Sequence, residues 1–173
     1  DLPNLLRAGD VLVFNDSKVF KARLMAIQGD RSFEVFLLGP VDRAWQALIK
    51  PLKKLKDGDR LYFEDGTEAT LLCRDEDGIA LLDFARSAED VFAMADRLGA
   101  VPTPPYLPQQ KNLDRYQTIY AKTMGSVAAP TAGLHFTPRL MAMLKEKGVM
   151  TAFVTLHVGL GTFRPMQTKT IEE

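Results

Sequence analysis

The chain carries two histidines, His135 and His157, and each stands in a glycine-bearing segment at the edge of regular structure. Residues 130–138 read PTAGLHFTP and run into a helix start. Residues 157–165 read HVGLGTFRP and leave the end of an apolar strand. Neutral imidazole titrates nearest physiological pH and is the commonest general base. Ligands of open α/β sheets bind beyond the carboxyl ends of strands, beside helix N-termini. A single histidine placed this way is more often structural, bonding a loop carbonyl. Two of them at such edges favour proton transfer for at least one.

Other residues near these segments carry weaker signals. Residues 125–133 (GSVAAPTAG) present backbone N–H groups with little side-chain cover, which suits a carboxylate, a ribose or a phosphate. The run lacks the G-x-x-x-x-G-K-S/T pattern, and Gly159-x-Gly161 lacks the third glycine of a dinucleotide fingerprint, so a bland tight loop is an equal reading. Asn15-Asp16-Ser17 precedes Lys18, Lys21 and Arg23. These three are turn formers first, and a cation-flanked carboxylate for binding comes second. Lys50, Lys53, Lys54 and Lys56 mark a solvated loop or an RNA-facing patch. Tyr106, Tyr116, Tyr120, Phe136 and Phe163 have faces that can stack a base, although most are expected in the core.

The elements that must position these residues fall into two kinds. From residue 9 to about residue 84 the pattern is β, with short apolar or alternating runs at 11–14, 19–27, 33–38, 44–49, 61–63, 69–73 and 79–84. Turn dipeptides such as Gly29-Asp30, Asp65-Gly66 and Asp77-Gly78 lie between them. Such spacing predicts a small antiparallel barrel or sandwich. GDVLVF at residues 9–14 recurs as GDRLYF at 58–63, which reads as two turns opening strands, not as a repeat. Residues 88–98 then show helical spacing and stop at Gly99. The proline-rich stretch 102–108 is an extended linker, and 114–122 is expected to be a short helix. Thr137 with Pro138 caps a helix running to Lys147, and 149–158 is an apolar strand that needs neighbours on both faces, of which this chain supplies few. The reading is α/β plus β: a lead-in at 1–8, a barrel-like module at 9–85 inserted in or followed by an α/β portion at 86–173.

Composition sets bounds. The 173 residues are 46% hydrophobic and 25% charged with zero formal net charge, so no global field draws the chain to polyanions. The single Cys73 excludes an internal disulfide and a multi-cysteine zinc site, and no metal ligand set is expected. No apolar run approaches the roughly 20 residues of a membrane span. A start at Asp1 without Met or leader reads as an internal fragment.

Several strings go further together. They are Asn15–Val19 (NDSKV) with Lys21-Ala22-Arg23-Leu24, Pro104-Pro105-Tyr106, Arg115-Tyr116-Gln117-Thr118, residues 128–137 (AAPTAGLHFT) and residues 157–165. In order and spacing they closely resemble the S-adenosylmethionine:tRNA ribosyltransferase-isomerase family of queuosine biosynthesis. The resemblance implies an α/β fold with an inserted β-barrel. It also implies transfer of the ribosyl part of S-adenosylmethionine, as co-substrate with no further cofactor, to tRNA bearing 7-aminomethyl-7-deazaguanine at the wobble position. The product is epoxyqueuosine, with release of adenine and methionine. His135, His157 and Asp16 are the catalytic expectations. Asn15, Arg23, Tyr106, Arg115, Pro130, Thr131, Ala132, Gly133, Gly159, Gly161 and Thr162 are the expected binding residues. A monomeric, cytoplasmic enzyme without membrane contact is expected. The alternatives are a non-catalytic RNA-binding β module and another nucleotide-binding α/β enzyme.

Overall fold

The computed structural model describes residues 1–102 and 116–159. Six antiparallel strands close a barrel in the order β3-β4-β5-β8-β7-β6. They are β3 (Arg23–Gln28), β4 (Arg31–Val41), β5 (Ala44–Lys50), β6 (Arg60–Phe63), β7 (Glu68–Arg74) and β8 (Ile79–Asp83). Burial alternates along these strands, as in Ala44–Lys50, where Trp45, Ala47 and Ile49 point inward. This is the period of two that a pleated strand imposes on side chains. The interior is filled by Leu24, Phe33, Val35, Leu37, Leu61, Leu71 and Leu82, each at most 1% exposed. Burying each such side chain contributes roughly 1.5–3 kcal/mol, so the barrel holds its own core.

Helix α2 (Ala88–Leu98) packs its buried face into the core it shares with the barrel. The Ser87 hydroxyl accepts the Asp90 N–H at 3.2 Å, a helix-start bond that satisfies one orphan donor. Val91, Met94 and Ala95 are buried, and Phe92 sits edge-on to Phe20 and Trp45 with centroids at 5.1 and 4.9 Å. Arg97 reaches Asp65 in the β6–β7 turn at 2.7 Å. Burial would raise the Asp65 carboxyl, but hydrogen bonds from Thr67 and Arg97 outweigh it and hold the group below its ordinary value.

The strands before and after the barrel pair with each other. β1 (Val11–Asn15) runs parallel to β10 (Met150–Val154), with Val11 opposite Met150 and Asn15 opposite Val154. β2 (Ser17–Val19) runs parallel to β9 (Thr123–Ser126). The β run expected from residue 9 is present, but β1 and β2 lie outside the barrel, whose first strand is β3 at Arg23. The expected single strand 19–27 breaks because Ala22 N–H turns back onto the Phe20 carbonyl at 2.9 Å. Both GD turns do open strands, but one leads into the parallel pair and the other into the barrel.

The helix expected at 114–122 is also corrected for its described part. Residues 116–122 form turns, since Gln117 uses its side chain to pair with the Val19 backbone. Helix α1 (Leu2–Leu5) packs near α3 (Pro138–Glu146), where the Lys147 ammonium donates to the Pro3 carbonyl. In α3, Thr137 accepts the Leu140 N–H at 3.2 Å, as its position before Pro138 leads one to expect. β10 is exposed at all five residues and pairs only with β1 among the described residues, which matches the expectation of few neighbours. No helix of the described residues is long and apolar enough to cross a membrane.

Candidate active site

Parallel pairing sets β1 and β10 with their carboxyl ends on one side, and the histidine-bearing loop of residues 155–159 leaves from there. Asn15 at the end of β1 and the following Asp16 hold that loop directly, and Ser17 at the start of β2 holds it through Ser126. Asn15 donates from its amide to the Leu156 carbonyl at 2.8 Å and accepts the Leu156 N–H at 3.0 Å. Its oxygen also accepts the Ser17 N–H at 3.1 Å. The Asp16 carboxylate accepts the Thr155 hydroxyl at 2.7 Å, while its backbone N–H meets the Val154 carbonyl at 2.9 Å. Ser17, fully buried, accepts the Ser126 hydroxyl at 2.9 Å, and Ser126 Oγ takes the Val158 N–H at 2.8 Å. The turn-forming preference of Asn, Asp and Ser is thus used for capture of a distant backbone as well as for the local bend.

His157 lies between the two clamped residues and is itself exposed. Its ring lies against the α-carbon of Gly125, whose φ is 150°. A Cβ there would stand 2.6 Å from Cε1 and 2.8 Å from each ring nitrogen, closer than real contacts allow.

His135 closes a 3-10 turn, Thr131–His135, and is also exposed. Within the turn the Gly133 N–H donates to the Pro130 carbonyl at 2.8 Å, so that donor is already engaged. Pro130 has no N–H, and Thr131 and Ala132 remain as exposed positions of the loop. Gly133 is buried, and a Cβ on it would collide with the Tyr120 hydroxyl and stand 2.7 Å from Thr118 Cγ2. Tyr120 in turn packs on Phe14 (4.8 Å), Phe153 (5.9 Å) and Phe136 (6.5 Å). Phe14 meets Phe136 edge-on at 4.9 Å. This aromatic cluster joins β1, β10 and the turn before α3, and so ties the His135 segment to the strands that carry the other loop. Desolvation pushes the Tyr120 phenol above its ordinary value of 10, so it stays protonated and able to donate.

Arg23 is placed elsewhere. It opens β3, and its Nε lies 3.7 Å from Glu34 on the barrel wall, an ion pair too long for a hydrogen bond. Gly159 follows the clamped Val158 and is exposed. Tyr106, Arg115, Gly161 and Thr162 lie outside the described residues. The structure also brings in Thr155, which carried no site expectation, and Ser17, Tyr120, Ser126 and Gln117, which the sequence offered only within a turn, a base-stacking set, a glycine-bearing loop and a motif string. Gln117 was visible only inside the string Arg115–Thr118. Its oxygen accepts the Val19 N–H at 3.0 Å and its amide donates to the Val19 carbonyl at 2.6 Å, in the manner of one more strand. Among the described residues no group of three or more His, Cys, Asp or Glu could hold a metal. A cavity of about 520 Å³ opens by Arg43, Trp45, Asp83 and Arg86, and none of the expected site residues lines it.

The whole chain, residues 1–173, matches the family of queuosine biosynthesis proteins. It is 44% identical over 200 residues to the S-adenosylmethionine:tRNA ribosyltransferase-isomerase of Solibacter usitatus, covering 100% of this chain and 56% of that protein. With the enzyme of the same name from Rhodospirillum rubrum it shares 48% over 179 residues, covering 100% and 51%. The chain belongs to the queuosine biosynthesis family. A solved structure, the S-adenosylmethionine tRNA ribosyltransferase of Thermotoga maritima, is 32% identical, covering 92% of this chain and 44% of that one, with a TM-score of 0.41. The chain spans about half the length of the curated relatives it matches. His135 and His157 belong to two of the strings that carried the resemblance, and Asn15 to Ser17 belong to another.

Proposed function

We propose that the protein carrying this chain transfers and isomerises the ribosyl portion of S-adenosylmethionine onto 7-aminomethyl-7-deazaguanine at the tRNA wobble position. Epoxyqueuosine in tRNA, adenine and methionine are the products. The reading is supported by His157, whose loop leaves the carboxyl end of the β1–β10 pair, by the aromatic contacts that join the His135 turn to the same strands, and by 44–48% identity to enzymes named for this reaction. The sulfonium of S-adenosylmethionine acidifies its C5′ proton, so a base that removes it starts the expulsion of adenine. Adenine leaves more readily when an acid protonates it, and the attacking amine must be neutral. His135 and His157 share these transfers. Asp16 sits beside the loop, where its carboxylate offsets the sulfonium charge or orients a ribose hydroxyl. Asn15, Thr131, Ala132, Gly133 and Gly159 border the bound substrate, and Tyr106, Arg115, Gly161 and Thr162 join them from outside the described residues. Arg23 contacts phosphate only if it leaves Glu34. The enzyme works as a cytoplasmic monomer.

The test uses full-length protein with S-adenosylmethionine and tRNA bearing the aminomethyl base, and measures adenine release. Replacing His135 and His157 together is expected to abolish it. Turnover retained by that double variant rules the mechanism out.

A further inference from the structure

The imidazole of His157 lies against Gly125, and the backbone on either side of it is held by Asn15, Ser126 and Val127. On one side the N–Cε1–N edge of the ring is its closest approach to Gly125, with both nitrogens at equal distance from the space where a Cβ would stand. That edge is the part of an imidazole that takes and gives protons. Any side chain at position 125 would push into it or cover it, and a φ of 150° is itself a backbone conformation that L side chains rarely adopt. On the other sides the backbone flanking His157 is fixed. Leu156 is gripped by Asn15, and Val158 by Ser126 Oγ below its N–H and by the Val127 N–H on its carbonyl at 3.0 Å. Ser126 and Ser17 are both fully buried, and their 2.9 Å hydroxyl contact crosses the β2–β9 pair. A buried hydroxyl that satisfies a backbone donor is costly to remove, because the donor is left without a partner.

We propose that Gly125 and Ser126 are positioning residues for His157, Gly125 as the bare seat of the ring and Ser126 as the clamp on the following residue. This rests on the reading of His157 as a proton-transfer group. Misplacement of a reacting group by about 1 Å costs on the order of 100-fold in rate, which sets the expected size of the effect.

The experiment uses the full-length enzyme. For Gly125→Ala, kcat of adenine release should fall about 100-fold while KM for S-adenosylmethionine changes little, and the limb of the pH–rate profile that His157→Gln removes should move. Wild-type kcat and pH profile in Gly125→Ala overturn the proposal. If Gly125→Ala does not fold, the Ser126 pair decides: loss in Ser126→Ala with recovery in Ser126→Thr supports the clamp, and undiminished turnover in Ser126→Ala overturns it. Full turnover in His157→Gln would instead sink the functional reading of that histidine. Seating is then judged by NMR of the histidine Cε1–Hε1 groups, with the His157 signal assigned by its disappearance in His157→Gln. A displaced His157 signal in Gly125→Ala or Ser126→Ala supports the seat, and an unmoved one overturns it.

Discussion

Each barrel strand turns alternate side chains into one shared interior, whereas β10 leaves all five of its residues exposed. The barrel is held by apolar burial: Phe33, Val35, Leu37, Ala47, Leu61, Leu71 and Leu82 are completely buried. The end of the parallel strands is held by side chains reaching backbone, with Asn15, Ser126 and Gln117 together contacting Leu156, Val158 and Val19. The first kind of cohesion is non-directional and grows with the apolar area removed from water. The second is short-ranged and directional, which is the property needed to hold a reacting group in place. Apolar cohesion and directional cohesion therefore occupy different parts of one chain.

This division can be broken or sharpened by substitution. The largest stability effect belongs to the barrel: Phe33→Ala should destabilise by about 3–5 kcal/mol in urea unfolding, through lost burial and the cavity left behind. A loss below about 1 kcal/mol would mean that the barrel interior is not the main source of cohesion. Asn15→Ala comes next, at about 1–3 kcal/mol, since it removes two hydrogen bonds to Leu156 worth about 0.5–1.5 kcal/mol each. Its distinctive sign is faster hydrogen exchange at Leu156 with unchanged exchange in β4 and β5. Loss of protection in the barrel as well would show that the two regions are coupled.

Thr137→Ala removes the cap of α3 and should cost about 1 kcal/mol, read as fraying of residues 138–141 by hydrogen exchange. The smallest effect is the Arg97–Asp65 link, about 1 kcal/mol or less because Arg97 is well exposed. Its pH dependence has a definite sign. The Asp65 carboxyl is lowered in the fold from its ordinary 3.8, so its contribution is complete above that value and disappears as pH falls through the lowered value. Asp65→Asn should flatten that acid limb, and an unaltered limb would assign it to other carboxylates.

Local elements were legible because their signals are local. Ala88–Leu98 and the Thr137–Pro138 helix start emerged as expected, since spacing of apolar residues and capping chemistry act within a few positions. The barrel was legible for the same reason, through alternating runs and turn dipeptides. Pairing partners were not. Nothing in Val11–Asn15 announces residues 150–154 as its neighbour, because a parallel pair is joined by a long connection and its register depends on the whole fold. The turn over residues 116–122 was missed because the Tyr116–Tyr120 spacing mimics a helix, while Gln117 is drawn away by Val19. Asn15-Asp16-Ser17 read as a turn, and their second role lies in partners more than a hundred residues distant.

By itself the sequence determined the two histidine loops, the family and the barrel, because motif strings, turn residues and period-two burial are written in consecutive positions. Only the tertiary structure decided that β1 and β2 belong with β10 and β9, that His157 rests on Gly125, and that Asn15, Asp16 and, through Ser126, Ser17 hold its loop. Those are contacts between residues far apart in the chain, and their geometry exists only once the chain has closed on itself.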